Sequence, residues 1–169
     1  MFLVKFRLIQ KITTFKYSSF ATMEKQTPLW NQKTITLKAH KRGCHLITSE
    51  ITSNLPELKN YKVGLLNLFL QHTSASLCLN ENYDSDVRLD MEDSFNRIVP
   101  ENNKLYRHTI EGSDDMPAHI KSALVGASIT IPITDGALNL GTWQGVWLCE
   151  HRDGSHTRNI VATINGAAK

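Results

Sequence analysis

Lys62-Val63-Gly64-Leu65-Leu66-Asn67-Leu68-Phe69-Leu70-Gln71-His72-Thr73-Ser74-Ala75-Ser76-Leu77-Cys78-Leu79 is the stretch on which the fold turns. From Lys62 to Thr73 it is nearly all apolar, which reads as a strand covered on both faces. Ala75–Leu79 reads as a second strand, hairpinned to the first. Strand alternation puts Leu66, Leu68, Leu70 and His72 on one side, so an imidazole ends an otherwise apolar face. That histidine is either a hydrogen-bonded core residue or a ligand.

Working outward, Lys33–Lys38 alternates polar and apolar as a half-buried strand does, and His45-Leu46-Ile47 gives a second short strand. Ser49 offers an N-cap for a helix through Leu58, with Pro56 disturbing its last turn. Downstream, Val87, Met91, Phe95 and Ile98 recur at helical spacing over Asp84–Ile98. A shorter helix follows Asp114-Asp115, with Pro117 in its first turn and Gly126 closing it. Three strands finish the chain: Ser128–Ile133, Leu138–His151 around a break at Gly141, and Arg158–Ile164. Strands and helices in this order predict an α+β fold, a two-sheet β-sandwich with about three short helices outside.

The chain has 169 residues, enough for one domain with a sizeable core, and 41% hydrophobic with 21% charged residues excludes a mainly disordered chain. Its formal charge of +3 is misleading. Residues 1–23 carry Lys5, Arg7, Lys11 and Lys16 with no acid, which leaves 15 basic and 16 acidic residues for the rest. The body is therefore no basic nucleic-acid binder, and no apolar run reaches the ~20 residues of a membrane span. The basic, hydroxyl-rich terminus has the composition of a mitochondrial transit peptide. An alternative start at Met23 explains it equally, so the expected location is cytoplasmic or mitochondrial. Residues 1–28 are set apart as an N-terminal extension from a single domain at 29–169. Cys44, Cys78 and Cys149 lack CxxC spacing and read as buried small hydrophobes in a reducing compartment.

Three further segments carry chemistry. Asn80-Glu81-Asn82-Tyr83-Asp84-Ser85-Asp86 places three carboxylates at a helix start. Capping accounts for Asp84 and Asp86 but poorly for Glu81. His108–His119 packs two imidazoles with Glu111, Asp114 and Asp115 around a helix N-terminus, and Lys121 follows. The spacing of His72, His108 and His119 matches no short metal motif, yet three neutral imidazoles suit zinc and leave a position for water or substrate. In Gly141–Arg152 the alternation gives Gln144, Val146, Leu148, Glu150 and Arg152 one face and Trp143, Trp147, Cys149 and His151 the other. That pattern reads as an edge strand with a surface Glu150/Arg152 pair, or as a pocket wall where Arg152 grips a phosphate.

These segments, in this order, resemble the YjbQ-like family: Gln71-His72-Thr73-Ser74-Ala75-Ser76-Leu77; Asn80-Glu81 with Asp84, Val87 and Asp90; Glu111-Gly112 with Asp114-Asp115-Met116-Pro117-Ala118-His119-Ile120-Lys121-Ser122; Gly141-Thr142-Trp143-Gln144-Gly145; and Glu150 with Arg152. The resemblance spans about residues 29–166. It implies a homotrimer and a divalent metal, zinc by type, held by His72, His108 and His119. The family is also called the secondary thiamine-phosphate synthase family, which implies a weak ability to join a pyrimidine diphosphate to a thiazole phosphate. The expected protein is a metal-dependent transferase or hydrolase acting on a small phosphorylated molecule. Glu81, Asp115 and Glu150 are its candidate catalytic carboxylates; Lys121, Gln144 and Arg152 position substrate. The reading from a different class is a non-enzymatic, metal-stabilised trimer that binds a ligand or partner.

Overall fold

Eight strands and three helices follow one another in a computed structural model that describes residues 27–169. The basic segment over 1–23 and the Met23 start lie outside the described residues. The strands are β1 (Leu29–Thr36), β2 (His40–Leu46), β3 (Tyr61–Leu70), β4 (Ala75–Glu81), β5 (Ser128–Thr134), β6 (Ala137–Leu138), β7 (Gln144–His156) and β8 (Asn159–Ala168). The helices are α1 (Thr48–Ser53), α2 (Ser85–Ile98) and α3 (Asp115–Val125), with a 3-10 turn at Pro56–Asn60. The helix expected from Ser49 to Leu58 is thus split in two, because Pro56 cannot donate into a continuing helix. Ile47, with no side-chain cap, precedes α1 in place of the expected Ser49.

All strand pairs are antiparallel, in a five-stranded sheet ordered β1-β8-β3-β5-β6 and a three-stranded sheet ordered β2-β7-β4. The α+β sandwich expectation stands. The hairpin expectation does not, since β3 and β4 belong to different sheets and Gln71–Ser74 carries the chain between them. The crossing is satisfied by hydrogen bonds to other segments: Leu70 N–H to Ala127 O at 2.8 Å, and Gln71 N–H to Asn159 O at 2.9 Å. Between the sheets lies the main core, where Leu66, Leu68 and Leu70 of β3 meet Val146 and Leu148 of β7, Ile131 and Ile133 of β5, and Ile160, Ala162 and Ile164 of β8.

The expectation that β3 is covered on both faces is corrected for the single chain: Val63, Leu65 and Phe69 are 57%, 46% and 49% exposed. β7 behaves the opposite way. It is the central strand of its sheet rather than an edge, and both of its faces are buried from Val146 to His151. Val146 and Leu148 enter the main core, while Trp147 and Cys149 face a second cluster beneath Val87, Met91 and Phe95 of α2. The predicted stripe therefore seats α2, except that Ile98 stays 69% exposed at its end. Asp84 caps this helix by accepting from Asp86 N–H at 2.9 Å, as its position predicts.

Candidate functional site

α3 begins where the long connection from α2 meets the end of β7, and both Asp114 and Asp115 are turned onto side chains from neighbouring segments. Asp114 makes no side-chain cap. Its carboxylate instead accepts from Arg152 Nε at 2.7 Å and from the Asp153 N–H at 2.9 Å. Burial disfavours the charged form of Asp114, but these bonds outweigh it and hold its pKa below the ordinary carboxylate value. Arg152 also bonds Asp115 and donates through Nη2 to Glu111 O at 2.8 Å. One guanidinium thus pins the Glu111–Asp115 turn to β7. Gly112 makes that turn possible: its φ is +116°, and a Cβ there would sit 2.6 Å from Asp114 Oδ1.

Asp115 is 1% exposed. Its Oδ2 lies 2.7 Å from His108 Nε2 and 3.2 Å from His119 Nε2, the latter one helical turn along α3. The second nitrogen of His119 fixes its tautomer. His119 Nδ1 lies 2.9 Å from Thr73 O, and a carbonyl only accepts, so Nδ1 carries the proton. In the neutral ring, Nε2 therefore presents a lone pair toward a carboxylate oxygen, an arrangement that needs a cation or an extra proton between them. Among the described residues, His108, Asp115 and His119 offer ligand atoms all within 4.8 Å of one another. A backbone carbonyl orienting the far nitrogen of an imidazole is the usual support of a metal-bound histidine. The donor set fits zinc.

His72 stands beside this group rather than in it. It lines, with Thr73, His119, Ser122 and Gly126, an open cleft of about 440 Å³. Its Nδ1 lies 3.1 Å from Ser74 Oγ and 3.2 Å from Ser74 N. Burial, then the Arg158 charge, lowers its pKa and favours a neutral ring.

The other expected residues are dispersed. Glu81 and Gln144 are cross-strand partners in a separate cleft of about 530 Å³, with Leu79, Asn80, Tyr83 and Trp143. There Tyr83 and Trp143 meet edge to face at 5.4 Å, and Gln144 Oε1 accepts from Gly141 N–H at 2.8 Å. Glu150 is fully buried and held by Arg158, whose Nε and Nη2 reach its two oxygens at 2.6 and 2.7 Å. Arg152 therefore pairs with the aspartates rather than with Glu150, which accepts only its N–H at 3.1 Å. Lys121 is 1% exposed, donates to Asn96 Oδ1 at 2.6 Å and has its pKa lowered by burial and then by the Arg42 charge. Both cations expected to meet a phosphate are thus committed inside the protein. Arg158 and the Thr73 carbonyl went unremarked in the sequence, and no local pattern marks either one.

Over residues 33–167 the chain matches the model of the family described as "UPF0047 protein YjbQ-like". The chain belongs to this family. It is 53% identical over 138 residues to the UPF0047 protein YjbQ of Escherichia coli O157:H7, an alignment covering 82% of this chain and 99% of that protein. The UPF0047 protein YugU of Bacillus subtilis is 38% identical, with 79% and 98% covered. Among solved structures, a yjbq/upf0047 family protein from Clostridium acetobutylicum superposes with a TM-score of 0.67 at 34% identity, covering 76% of this chain and 97% of that one. A YjbQ-like protein of unknown function from Sulfolobus solfataricus shares the fold, at TM-score 0.72 and 22% identity, over 83% of this chain and 99% of its own. Family membership supports the two-sheet fold and assigns no activity.

Proposed function

We propose that this chain is a metal-dependent enzyme of the UPF0047 family, with a zinc-type divalent ion held by His108, Asp115 and His119. The observation that carries this reading is the lone pair of His119 Nε2 aimed at Asp115 Oδ2 from 3.2 Å. Asp115 supplies the charge, Thr73 O and Arg152 orient the ligands, and the cleft at His72 gives access. With Arg152 and Lys121 occupied, the ion is the group left to neutralise an anionic substrate, which suits a small phosphorylated molecule. Weak thiamine-phosphate synthase activity would be a side reaction of such a centre, with His72 and His119 both lining the open cleft. The Tyr83/Trp143 cleft with Glu81 and Gln144 suits a planar ring system.

Assembly as a homotrimer belongs to the same reading. The outer face of the five-stranded sheet sets exposed Trp30, Val63, Leu65 and Phe69 around a polar row of Gln32, Thr163, Asn67 and Thr130, in which Gln32 bonds Thr163 and Asn67 bonds Thr130 across the strands. Exposed apolar side chains grouped on one sheet face mark an association surface.

Elemental analysis and zinc titration of the purified chain test the centre. One ion per chain is expected, with affinity reduced at least tenfold in Asp115→Asn and His119→Ala. Full occupancy in both variants would remove the ligand assignment. Chelation separates catalysis from scaffolding: an apo protein that keeps its circular dichroism and loses turnover of phosphorylated substrates supports the enzyme, whereas one that unfolds does not.

A further inference from the structure

The three cysteines stand 34 and 71 residues apart in the chain, yet the strand order β2-β7-β4 gathers them on one sheet face. Cys149 of the central strand has Cys44 Sγ at 3.5 Å on one side and Cys78 Sγ at 3.9 Å on the other. All three are free thiols. Val87, Met91 and Phe95 of α2 pack over this sheet face.

Cys44 and Cys149 are direct cross-strand partners. The ladder shows which kind of pair they form. Ile47 N–H bonds Val146 O at 2.9 Å, while Val146 N–H turns to Thr48 Oγ1, so 47/146 and 45/148 fall at the hydrogen-bonding sites of the ladder and 46/147 and 44/149 at the sites between them. Leu77 N–H bonds Gly126 O rather than β7, which gives the same phase from the other edge. A non-hydrogen-bonded pair brings its Cα atoms to about 4.5 Å, at the short end of the ~4.4–6.8 Å range that a disulfide spans. Rotation of two side chains can close the bond, and so short a bridge is reducible.

The two thiols differ in environment. Cys44, 8% exposed, forms part of the wall of a cleft of about 340 Å³ with Arg42, His45, Ser85, Arg88 and Glu92. Arg42 is saturated by Glu92, Glu101 and Asp153. Arg88 has no ion-pair partner among the described residues, and its buried Nη1 bonds nothing there. A guanidinium without an ion-pair partner, lining the same cleft as the Cys44 sulfur, is placed to polarise an incoming peroxide oxygen. Cys149 is fully buried; its bonds to Cys44 and Cys78, then burial, push its pKa well up, so it stays a thiol.

We propose that Cys44 and Cys149 are a peroxide-reactive dithiol that closes to a cross-strand disulfide. The Cys44 sulfur attacks one oxygen of a hydroperoxide, gives up its proton, and the O–O bond breaks. Cys44 becomes sulfenic acid, and the other oxygen leaves as alcohol, or as water from hydrogen peroxide, taking up a proton. Cys149 sulfur then attacks Cys44 sulfur, and the hydroxyl departs with the Cys149 proton as a second water. Two thiols are oxidised by two electrons in all, and one peroxide is reduced. Cys78, half-buried on the far side of Cys149, is placed to exchange into the bridge and release Cys44.

The test uses the reduced full chain, an equimolar dose of hydrogen peroxide, alkylation of remaining thiols and non-reducing peptide mapping. A linked peptide pair containing Cys44 and Cys149, lighter by two hydrogens and restored by dithiothreitol, is expected. Cys78→Ser keeps the link. Cys149→Ala leaves Cys44 as a sulfenic acid trapped by dimedone, and Arg88→Leu slows its formation several-fold. Should Cys149→Ala not fold, Cys44→Ser serves, and must abolish the reaction at Cys149. Cys44 and Cys149 both still alkylatable after tenfold excess peroxide, in protein of unchanged circular dichroism, would overturn the proposal. An unchanged rate of thiol loss in Cys44→Ser would do the same.

Discussion

His151 makes the folded protein acid-labile by a calculable amount. The ring lies 1% exposed on the β7 face that meets the helices. Its Nε2 is 2.9 Å from Ser76 Oγ, Phe95 stands edge-on at 5.6 Å, and Nδ1 has no hydrogen-bond partner among the described residues. Burial, followed by the charges of Lys121, Arg42 and Arg158, lowers its pKa to about 3. In the unfolded chain the ring titrates near ~6.5. Below that value the unfolded chain binds a proton that the folded chain refuses. The stability held above the unfolded pKa is therefore lost progressively as pH falls toward the folded one. At pH 5 the loss assignable to this ring is about 2 kcal/mol, rising to about 3 kcal/mol near pH 4. The assay is urea denaturation of the wild-type chain and His151→Gln at pH 7.5 and pH 5. Glutamine can still bond Ser76 but does not titrate. His45 and His72, whose pKa values are also lowered, contribute equally to both proteins and cancel. The wild type should lose about 2 kcal/mol more than the variant between the two pH values. Equal losses would show that this ring is not held neutral by its surroundings.

Two more outcomes follow from packing. Arg158→Met strands the fully buried Glu150 without its bidentate partner and should cost about 3–5 kcal/mol, read as a shift in the denaturation midpoint. Phe69→Glu puts a charge on the exposed sheet face proposed as the trimer interface and should reduce the mass by light scattering from the three times 19.1 kDa expected of that trimer to one, with the circular dichroism unchanged.

Local periodicity carried much of the fold. The stripe Val87–Met91–Phe95, the Asp84 cap and the alternation of β7 each depend on residues within a few positions of one another, where the spacing itself states which face is buried. Partner choice across strands is not local. Glu150 and Arg152 look like a surface pair by proximity, but the carboxylate points into the core where Arg158 closes on it, while Arg152 lies toward the α3 turn. Lys121 follows His119 by two positions, so the helix turns it away from the imidazole cluster and under α2. The same rotation sets His119 over Asp115, four positions earlier, which is why a carboxylate rather than His72 completes the close group. The grouping of the three thiols is hidden for a similar reason: spacing in the chain says nothing about neighbours made by a strand order of β2-β7-β4.

Pairing of the first strand with the last also bears on how the chain reaches its native state. Leu29 lies opposite Gly166, and β2 waits for β7 to form its ladder, so neither sheet can be completed until the last quarter of the chain is available. Closing such long loops comes before any of the contacts that reward it, which makes folding slow. During synthesis β3 and β4 emerge without their β8 and β7 partners, leaving the most apolar run in the chain as open strand edges. For this protein the exposed period ends only when β8 docks between β1 and β3.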